Sequence, residues 1–412
     1  MNKQPNPVRA IAVITAFCLM GDSMLYVLLP FYWQEAGLHS LFEAGILLSI
    51  NRLIRLPLAP FIGRLLQKIP FRLALLFAVT LAACTTVAYG YANGFWAWFV
   101  LRALWGFTWS VLRLGALYAI ADASLPNEHG KNMGIYNGLY RLGSLAGMLF
   151  GGIIAQAWGF TATSLLFGAL ASLSLLLLPA IATATDSDKR TFFSMPAQQG
   201  QKSTRLATRA YASPQLLLVL GSGAVIAMLF QGIFTSTLSH VVDTHFHEGM
   251  RLGPYLLGAV TLAGFLSAIR WGWEPFLAPL VGRTADRLKK NEELLMLSLL
   301  TAAPLFALVP VSLPSILWLG LIVAVQLSAT ALTTLCDAAA TRTSSGMPSG
   351  KAFLTLYSIL QDVGAALGPL LGYLVLTNWL YLGSAVMLLC LAIWWYTVTS
   401  KPTGKRLKIP SP

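Results

Sequence analysis

Twelve long apolar runs constrain the fold of this chain more than any other feature. They lie at about 8–33, 43–66, 71–92, 95–121, 131–158 and 161–182 and, after a polar stretch, at about 214–240, 253–281, 293–311, 314–340, 351–376 and 380–399. A helix rises about 1.5 Å per residue, so each run is long enough to cross a hydrocarbon core about 30 Å thick. The runs, called spans 1 to 12 in chain order, predict an all-α polytopic membrane protein.

The composition agrees with membrane insertion and argues against a soluble multidomain protein. Of the 412 residues, 56% are hydrophobic and only 10% are charged, against about 25% charged residues in soluble proteins. All four cysteines lie inside apolar runs, which predicts neither a disulfide framework nor a cysteine metal motif. We therefore expect no metal and no cofactor, with a proton gradient as the energy source.

The placement of the cationic residues indicates the membrane topology. With the N-terminus inside, the cytoplasmic segments hold 21 Lys and Arg, whereas the opposite side holds only Arg251. Cationic loops resist translocation, so both termini are expected to be cytoplasmic, in what we expect to be a bacterial plasma (inner) membrane. Most of the cationic residues behind the net charge of +13 therefore lie on the predicted cytoplasmic side. We expect contact with the lipid bilayer, no nucleic-acid partner and a monomeric protein.

One long polar interval divides the spans six and six. Residues 184–213 carry both signs of charge among Ser, Thr and Gln, which is typical of a solvated linker. The predicted organisation is a six-helix bundle at 1–183, a cytoplasmic linker at 184–213, a second six-helix bundle at 214–400 and a cytoplasmic tail at 401–412.

An internal repeat supports this division. The segment 60–64, Pro-Phe-Ile-Gly-Arg, recurs at 279–283 as Pro-Leu-Val-Gly-Arg, an offset of 219. At an offset of 221, Tyr136, Gly143, Gly147 and Gly151 are matched by Tyr357, Gly364, Gly368 and Gly372. Two landmarks at nearly the same offset indicate a duplication. Duplicated halves are a recurring transporter plan, with the substrate site between them.

These landmarks make the chain resemble the major facilitator superfamily over essentially its whole length, most of all its twelve-helix proton-coupled drug and metabolite exporters. The family signature after span 2 is degenerate, because Gln67 replaces the usual acid. The copy after span 8 is better preserved. The resemblance implies gating loops that contain Gly63, Arg64, Gly282, Arg283, Asp286 and Arg287.

Two glycine-rich spans also resemble motifs of the family. Gly143, Gly147 and Gly151 in span 5 are similar to its antiporter motif, with Met148 in place of proline. Gly364, Gly368 and Gly372 repeat the pattern in span 11. Glycines at i, i+4 and i+8 let a second helix backbone approach closely, so close packing alone explains them as well as an export-specific role does.

Charged residues inside the spans are costly and call for partners or for a wet cavity. The family fold places span 2 opposite span 11 and span 5 opposite span 8. The resemblance therefore implies two ion pairs between the halves, Arg55 with Asp362 and Arg141 with Glu274. These pairs either break during transport or hold the fold statically. Arg270 is one helical turn before Glu274 and is an alternative partner for it.

Two acids are candidates for proton carriers. The resemblance places Asp22 in span 1 and Asp337 in span 10 at the central cavity, where desolvation disfavours a charged carboxylate. Arg102 begins an Arg-x-x-x-Gly sequence that resembles a motif of proton-coupled members. Arg113 binds either an anionic substrate group or Asp22, in which case Asp22 is a satisfied structural acid.

A group of potential metal ligands follows span 7. His240, Asp243, His245, His247 and Glu248 lie close in sequence, but their spacing matches no zinc motif. We interpret the group as a hydrated outer loop.

The chain lacks a nucleotide-binding signature and a nucleophile–base motif, so neither an enzyme nor an ATP-driven pump is predicted. The leading hypothesis is proton-coupled efflux, by antiport, of a small amphipathic molecule such as a drug, secondary metabolite or metallophore. Alternatives are a proton-coupled nutrient or metabolite importer, a lysolipid transporter, and a transport-inactive membrane sensor or chaperone.

Overall fold

A computed structural model describes residues 7–123, 129–179, 213–247, 249–252, 255–288, 291–345, 347, 350–375 and 378–400. The helices are α1 (Pro7–Leu28), α2 (Leu41–Leu53), α3 (Arg55–Lys68), α4 (Phe71–Tyr89), α5 (Phe95–Ala123), α6 (His129–Leu173), α7 (Pro214–Ile226), α8 (Thr235–His245), α9 (Ala259–Leu288), α10 (Asn291–Leu308), α11 (Ser315–Ser345), α12 (Gly350–Leu374) and α13 (Asn378–Thr399). A 3₁₀ turn covers Ser174–Leu177, and a π-helical segment, Ala227–Phe234, joins α7 to α8. Strands β1 (Met250–Leu252) and β2 (Tyr255–Leu257) form an antiparallel hairpin.

The all-α membrane fold predicted from the apolar runs is confirmed. Within the described residues, nine helices are long and apolar enough to cross a membrane. The predicted count of twelve spans is consistent with these helices, because some spans are not counted as separate helices. Helices α2 and α3 together make one span, α6 holds two spans, and α9 is a further helix of 30 residues.

Helix ends follow from local backbone chemistry. Helix α1 ends at Leu28, five residues before the predicted end of span 1, because Pro30 disfavours helical geometry at the residue before it. The division of α6 into two spans falls at Gly159, whose φ of 81° is in the left-handed region that glycine tolerates. Pro70 ends α3 in the same way as Pro30, since Ile69 is extended with φ −110° and ψ 136°.

The chain forms two compact units that draw on both sequence halves. Unit 1 comprises Met1–Gln199, Ala227–Pro275 and Asp362–Leu376, and unit 2 comprises Gly200–Ile226, Phe276–Gln361 and Thr377–Pro412. The predicted domain boundaries stay predictions. Most of the predicted linker and the predicted tail, 401–412, lie outside the described residues.

The core of unit 1 is built around α1, which packs along α6. Side chains such as Ile11 and Ile14 are buried there. The span 5 glycines face α1: a Cβ on Gly151 would lie 2.9 Å from Met24 Cβ, and Gly143 and Gly147 face the backbone of Ala16 and Met20. A larger side chain would therefore force these helices apart.

The span 11 glycines make the corresponding contact with the segment around α8, also in unit 1. A Cβ on Gly232 would lie 2.6 Å from Gly368 Cα, and one on Gly372 would lie 2.9 Å from Thr237 Cγ2. Gly364 is buried on α12, one turn before Gly368. The close helix packing expected from both glycine motifs is therefore present, and their role in export stays a prediction.

Unit 2 contains α7, α10, α11 and α13, the last part of α9 and the first part of α12. Buried polar side chains connect its helices. The Trp395 indole donates to Ser222 Oγ at 2.9 Å, and Asn291 Nδ2 donates to the Leu335 carbonyl at 3.3 Å. Such satisfied bonds fix the rotation of apolar helices that hydrophobic packing alone specifies weakly.

Candidate functional site

A buried ion pair in unit 1 joins α1 to α5. Arg102 donates to the Asp22 carboxylate; its side chain is fully buried and that of Asp22 is 10% exposed. Asn51 Nδ2 also donates to Asp22, at 3.3 Å, and Arg102 Nε donates to the Leu47 carbonyl at 3.0 Å. The arginine is therefore held by the backbone of α2, whereas the carboxylate depends on its two donors.

The surroundings of this pair are closed by aromatic rings. Tyr89 stacks on Trp98 with ring centroids 5.2 Å apart and an interplanar angle of 6°. Among the described residues, the Tyr89 hydroxyl, Arg102 Nη2 and Asn51 Oδ1 are buried without hydrogen-bond partners. Buried polar atoms of this kind are rare in folded proteins. We call Asp22, Asn51, Tyr89 and Arg102 the sealed cluster.

A second ion pair connects the two sequence halves within unit 1. Arg141 of α6 donates to Glu274 of α9, as predicted. Arg270 Nε lies 3.7 Å from the other oxygen of the same carboxylate, so the alternative partner contributes as well. Trp271 lies against both guanidinium groups, with its ring centroid 5.7 Å from Arg141 Cζ and 5.8 Å from Arg270 Cζ. One carboxylate thus serves two arginines.

Arg113 lies on tyrosine rings instead of beside an acid. Its guanidinium carbon is 5.9 Å from the Tyr136 ring centroid and 5.4 Å from that of Tyr140, and Nη1 donates to Asn137 Oδ1 at 3.4 Å. Within the described part of the chain, no carboxylate lies within 4 Å of it. Asp22 does pair with an arginine of span 4, as the structural alternative expected, but that arginine is Arg102 and not Arg113. Arg113, Tyr140, Arg141, Arg270 and Glu274 are called the cationic cluster.

The predicted pair of Arg55 and Asp362 is not formed as a direct salt bridge among the described residues. Asp362 interacts electrostatically with both Arg52 and Arg55 at longer range. Arg52 Nε lies 3.5 Å from the Tyr26 hydroxyl, whereas Arg55 Nε is buried without a hydrogen-bond partner. The two arginines are about one turn apart and lie in the fields of two acids, Asp362 and, more weakly, Asp22.

Asp337 lies in unit 2 and is exposed, unlike Asp22. It accepts hydrogen bonds from the Tyr357 hydroxyl at 2.8 Å and from Gln361 Nε2 at 3.0 Å. Asp337 lies eight residues before the last residue of α11, a distance of about 12 Å along the helix axis.

The residues predicted to form gating loops lie instead in helices. Gly63 and Arg64 belong to α3, and Gly282, Arg283, Asp286 and Arg287 belong to α9. No proline lies between Gly63 and the end of α3 or between Gly282 and the end of α9, so neither helix is interrupted there. Asp286 pairs with Arg342 of α11, with Oδ1 and Nη2 2.6 Å apart, so the acid retained in this copy connects two helices of unit 2. Both side chains are largely exposed.

The predicted outer loop after span 7 is mostly helical. His240, Asp243 and His245 lie on α8, and Glu248 lies outside the described residues. His247 Nδ1 lies 3.5 Å from Asp243 Oδ1, an i, i+4 contact. Among the described residues, no three His, Cys, Asp or Glu side chains converge as a metal site would require.

Sequence reasoning missed Asn51 and Tyr89 in the sealed cluster and Trp271 beside the cationic cluster. Asn51 was detectable, because an amide in an apolar span is costly without a partner. Tyr89 and Trp271 gave no comparable signal, since aromatic residues occur throughout the spans. Tyr136 and Tyr140 follow the helical spacing i, i+4, which packing explains equally well.

Comparison with known proteins identifies the family. The model of the Major Facilitator Superfamily matches residues 11–350 and 274–411. The chain is 24% identical over 376 residues to multidrug resistance protein MdtG of Proteus mirabilis, covering 87% of this chain and 86% of the relative. It is 22% identical over 218 residues to quinolone resistance protein NorA of Staphylococcus aureus (strain MRSA252), covering 53% and 55%.

Solved structures support the same fold. A crystal structure of peptide transporter POT in complex with sulfate aligns with a TM-score of 0.74 at 14% identity, covering 96% of this chain and 94% of that one. A bacterial homolog of the human lysosomal transporter Spinster, inward-facing and unoccupied, aligns with a TM-score of 0.72 at 15% identity, covering 95% and 96%. At such identity these likenesses show the fold alone. The chain belongs to the Major Facilitator Superfamily of membrane transporters.

Proposed function

We propose that this transporter exports a small amphipathic molecule in exchange for protons, by alternating access. The observation that carries the proposal is the sealed cluster, in which a carboxylate inside a span depends on one arginine and one amide. Ionisable residues at this depth are costly and mark proton or substrate pathways. The names of two relatives, a multidrug resistance protein and a quinolone resistance protein, favour efflux.

The geometry suggests how Asp22 carries the proton. Protonation removes the charge that attracts Arg102, so the contact between α1 and α5 weakens. Arg102 Nε keeps its bond to the Leu47 carbonyl, which leaves the arginine in place while the carboxyl group changes partner. Deprotonation restores the pair. The proton therefore acts as a ligand that shifts the balance between two arrangements of these helices.

Two further groups contribute to the cycle. The Arg141–Glu274 pair bridges spans from the two halves, and we propose that it opens during transport. Asp337 is proposed as a second proton carrier. We further propose a monomer in a bacterial plasma (inner) membrane, with both termini cytoplasmic, no cofactor and the proton gradient as energy source.

Everted membrane vesicles with an acidic interior test the direction and the coupling. A fluorescent quinolone should accumulate inside only while the pH gradient is present. Asp22→Asn should lower this accumulation by about tenfold or more, because the variant cannot release a proton. Glu292→Gln, at an exposed carboxylate in the first turn of α10, is the matched control and should transport normally.

Other outcomes would contradict the proposal in distinct ways. Accumulation that requires the opposite gradient would indicate proton-coupled uptake. Flux of lysolipid without flux of the quinolone would indicate a lipid transporter. No flux of any solute, with the purified chain folded, would indicate a sensor or chaperone.

A further inference from the structure

The charges at membrane depth in unit 1 are strongly unbalanced. Away from the ends of the spans, where α2 and α3 count as one span, the described residues of unit 1 include six arginines, Arg52, Arg55, Arg102, Arg113, Arg141 and Arg270, but only three carboxylates, Asp22, Glu274 and Asp362. Charges inside a membrane protein are normally paired with one another or face a wet cavity. Three positive charges in this unit therefore lack a fixed counter-charge.

The three carboxylates are already engaged. Asp22 is bound by Arg102, and Glu274 is shared by Arg141 and Arg270. Asp362 is the acid that interacts with Arg52 and Arg55. Arg113 is left with two tyrosine rings and one amide oxygen. Among the described residues, it is the one arginine of the six for which no interacting acid is seen.

Arg113 and Arg141 lie at similar depth and are connected by one side chain. Arg113 is 18 residues after the first residue of α5 and 10 before the last, which is about 27 Å and 15 Å along the helix. Arg141 is 12 residues after the first residue of α6, or about 18 Å. Tyr140 interacts electrostatically with both guanidinium groups. Both arginines are only half-buried, so each can be reached by a ligand.

Aromatic surface adjoins this charge. The Trp109 and Tyr140 rings meet edge to face with centroids 5.8 Å apart, and Tyr136 and Tyr140 are 5.1 Å apart. A guanidinium binds a carboxylate or another planar oxyanion through two parallel hydrogen bonds. Neighbouring rings add dispersion contacts to a flat apolar body. Charge and rings together match a molecule that carries both features.

We infer that the substrate is an aromatic organic anion, with its oxyanion on Arg113 and its ring against Trp109 and Tyr140. This inference rests on the proposed function. Arg141 contributes a second positive charge when Glu274 is engaged by Arg270. A substrate of this class supplies the counter-charge that unit 1 lacks. Its binding also gives the Arg141–Glu274 pair a competitor.

Calorimetry on the purified full-length chain at one fixed pH tests the inference without any gradient. The probes are 2-naphthoate, the neutral 2-naphthamide and the cationic 2-naphthylmethylammonium, which share a ring and differ in charge. The naphthoate should bind about tenfold or more tighter than the amide, as charge-assisted hydrogen bonds exceed neutral ones. Equal affinities, or tightest binding of the cation, would overturn the inference on the unmodified protein alone.

Variants then locate the site. Arg113→Gln should remove the preference for the acid, and Arg113→Lys should keep part of it, because the charge remains while the planar fork is lost. Arg72→Gln removes an exposed arginine at the start of α4 and should leave the preference unchanged. A preference retained in a folded Arg113→Gln variant would contradict the assignment.

A further probe distinguishes an aromatic acid from an anionic lipid as the source of the oxyanion. A short-chain anionic phospholipid offers an oxyanion without an aromatic body, and it should bind more weakly than naphthoate. Tighter, Arg113-dependent binding of the phospholipid would overturn the aromatic class. Since none of these measurements requires transport, a failure here leaves the vesicle experiment on proton-coupled export as an independent result.

Discussion

The sealed cluster and the cationic cluster differ in charge balance and in exposure. In the sealed cluster one arginine meets one carboxylate, and Arg102 is completely buried. The cationic cluster has three arginines but only one carboxylate, Glu274, which pairs with Arg141 and Arg270, and the side chain of Arg141 is 34% exposed. The first is nearly neutral and closed, whereas the second is positive and accessible.

This difference indicates a division of roles within one unit. In the proposed cycle the buried, nearly neutral pair exchanges a proton. An accessible site with excess positive charge attracts an anion of any size that fits. Proton coupling and substrate recognition are therefore expected to respond to different substitutions.

The largest effect is expected from removing one partner of the sealed pair. Arg102→Met should destabilise the protein by about 3–5 kcal/mol, because it leaves the buried Asp22 carboxylate unpaired. Thermal unfolding of the purified protein measures this change. The double variant with Asp22→Leu should recover most of the stability, since both charges are then gone. A double variant as unstable as the single one would show that packing of the arginine stem, rather than charge, dominates.

A smaller loss of stability is expected in the cationic cluster. Glu274→Gln leaves Arg141 and Arg270 without their shared acid, but solvent already screens Arg141, so we expect about 1–3 kcal/mol. The same unfolding assay measures it, with Glu35→Gln at an exposed position as control. A loss larger than that of Arg102→Met would reverse our ranking of the two regions.

The smallest effects come from a matched pair of tyrosine substitutions. Tyr89→Phe removes a buried hydroxyl that has no partner, so stability should change by less than about 1 kcal/mol or increase. Tyr140→Phe should weaken naphthoate binding about threefold, as expected for loss of one modest hydrogen bond. Calorimetry measures naphthoate binding and thermal unfolding measures stability for both variants. If Tyr89→Phe weakens naphthoate binding, the sealed cluster and the cationic cluster do not act separately.

Much of the fold could be predicted from the sequence, because membrane insertion depends on local quantities. Run length and cation placement predicted the spans, and the i, i+4, i+8 glycines predicted close helix packing. The errors in the predicted elements also arise from local sequence. Pro30 ends α1 before the predicted end of span 1, and the signature residues around Gly63 and Gly282 lie in helices rather than in loops. The family resemblance implied the pair Arg141–Glu274, which is present, and the pair Arg55–Asp362, which forms no direct bridge among the described residues.

By itself the sequence determined that this chain is an apolar, helical, duplicated membrane protein with buried charges of both signs. It could not decide which charges meet. Arg102 and Arg113 are eleven residues apart, about three helical turns, and so share a face of α5. Only the packing of α1 and α6 against α5 sets Arg102 beside Asp22 and Arg113 between two tyrosines. That choice depends on the depth and rotation of neighbouring helices, which no periodicity within one span specifies.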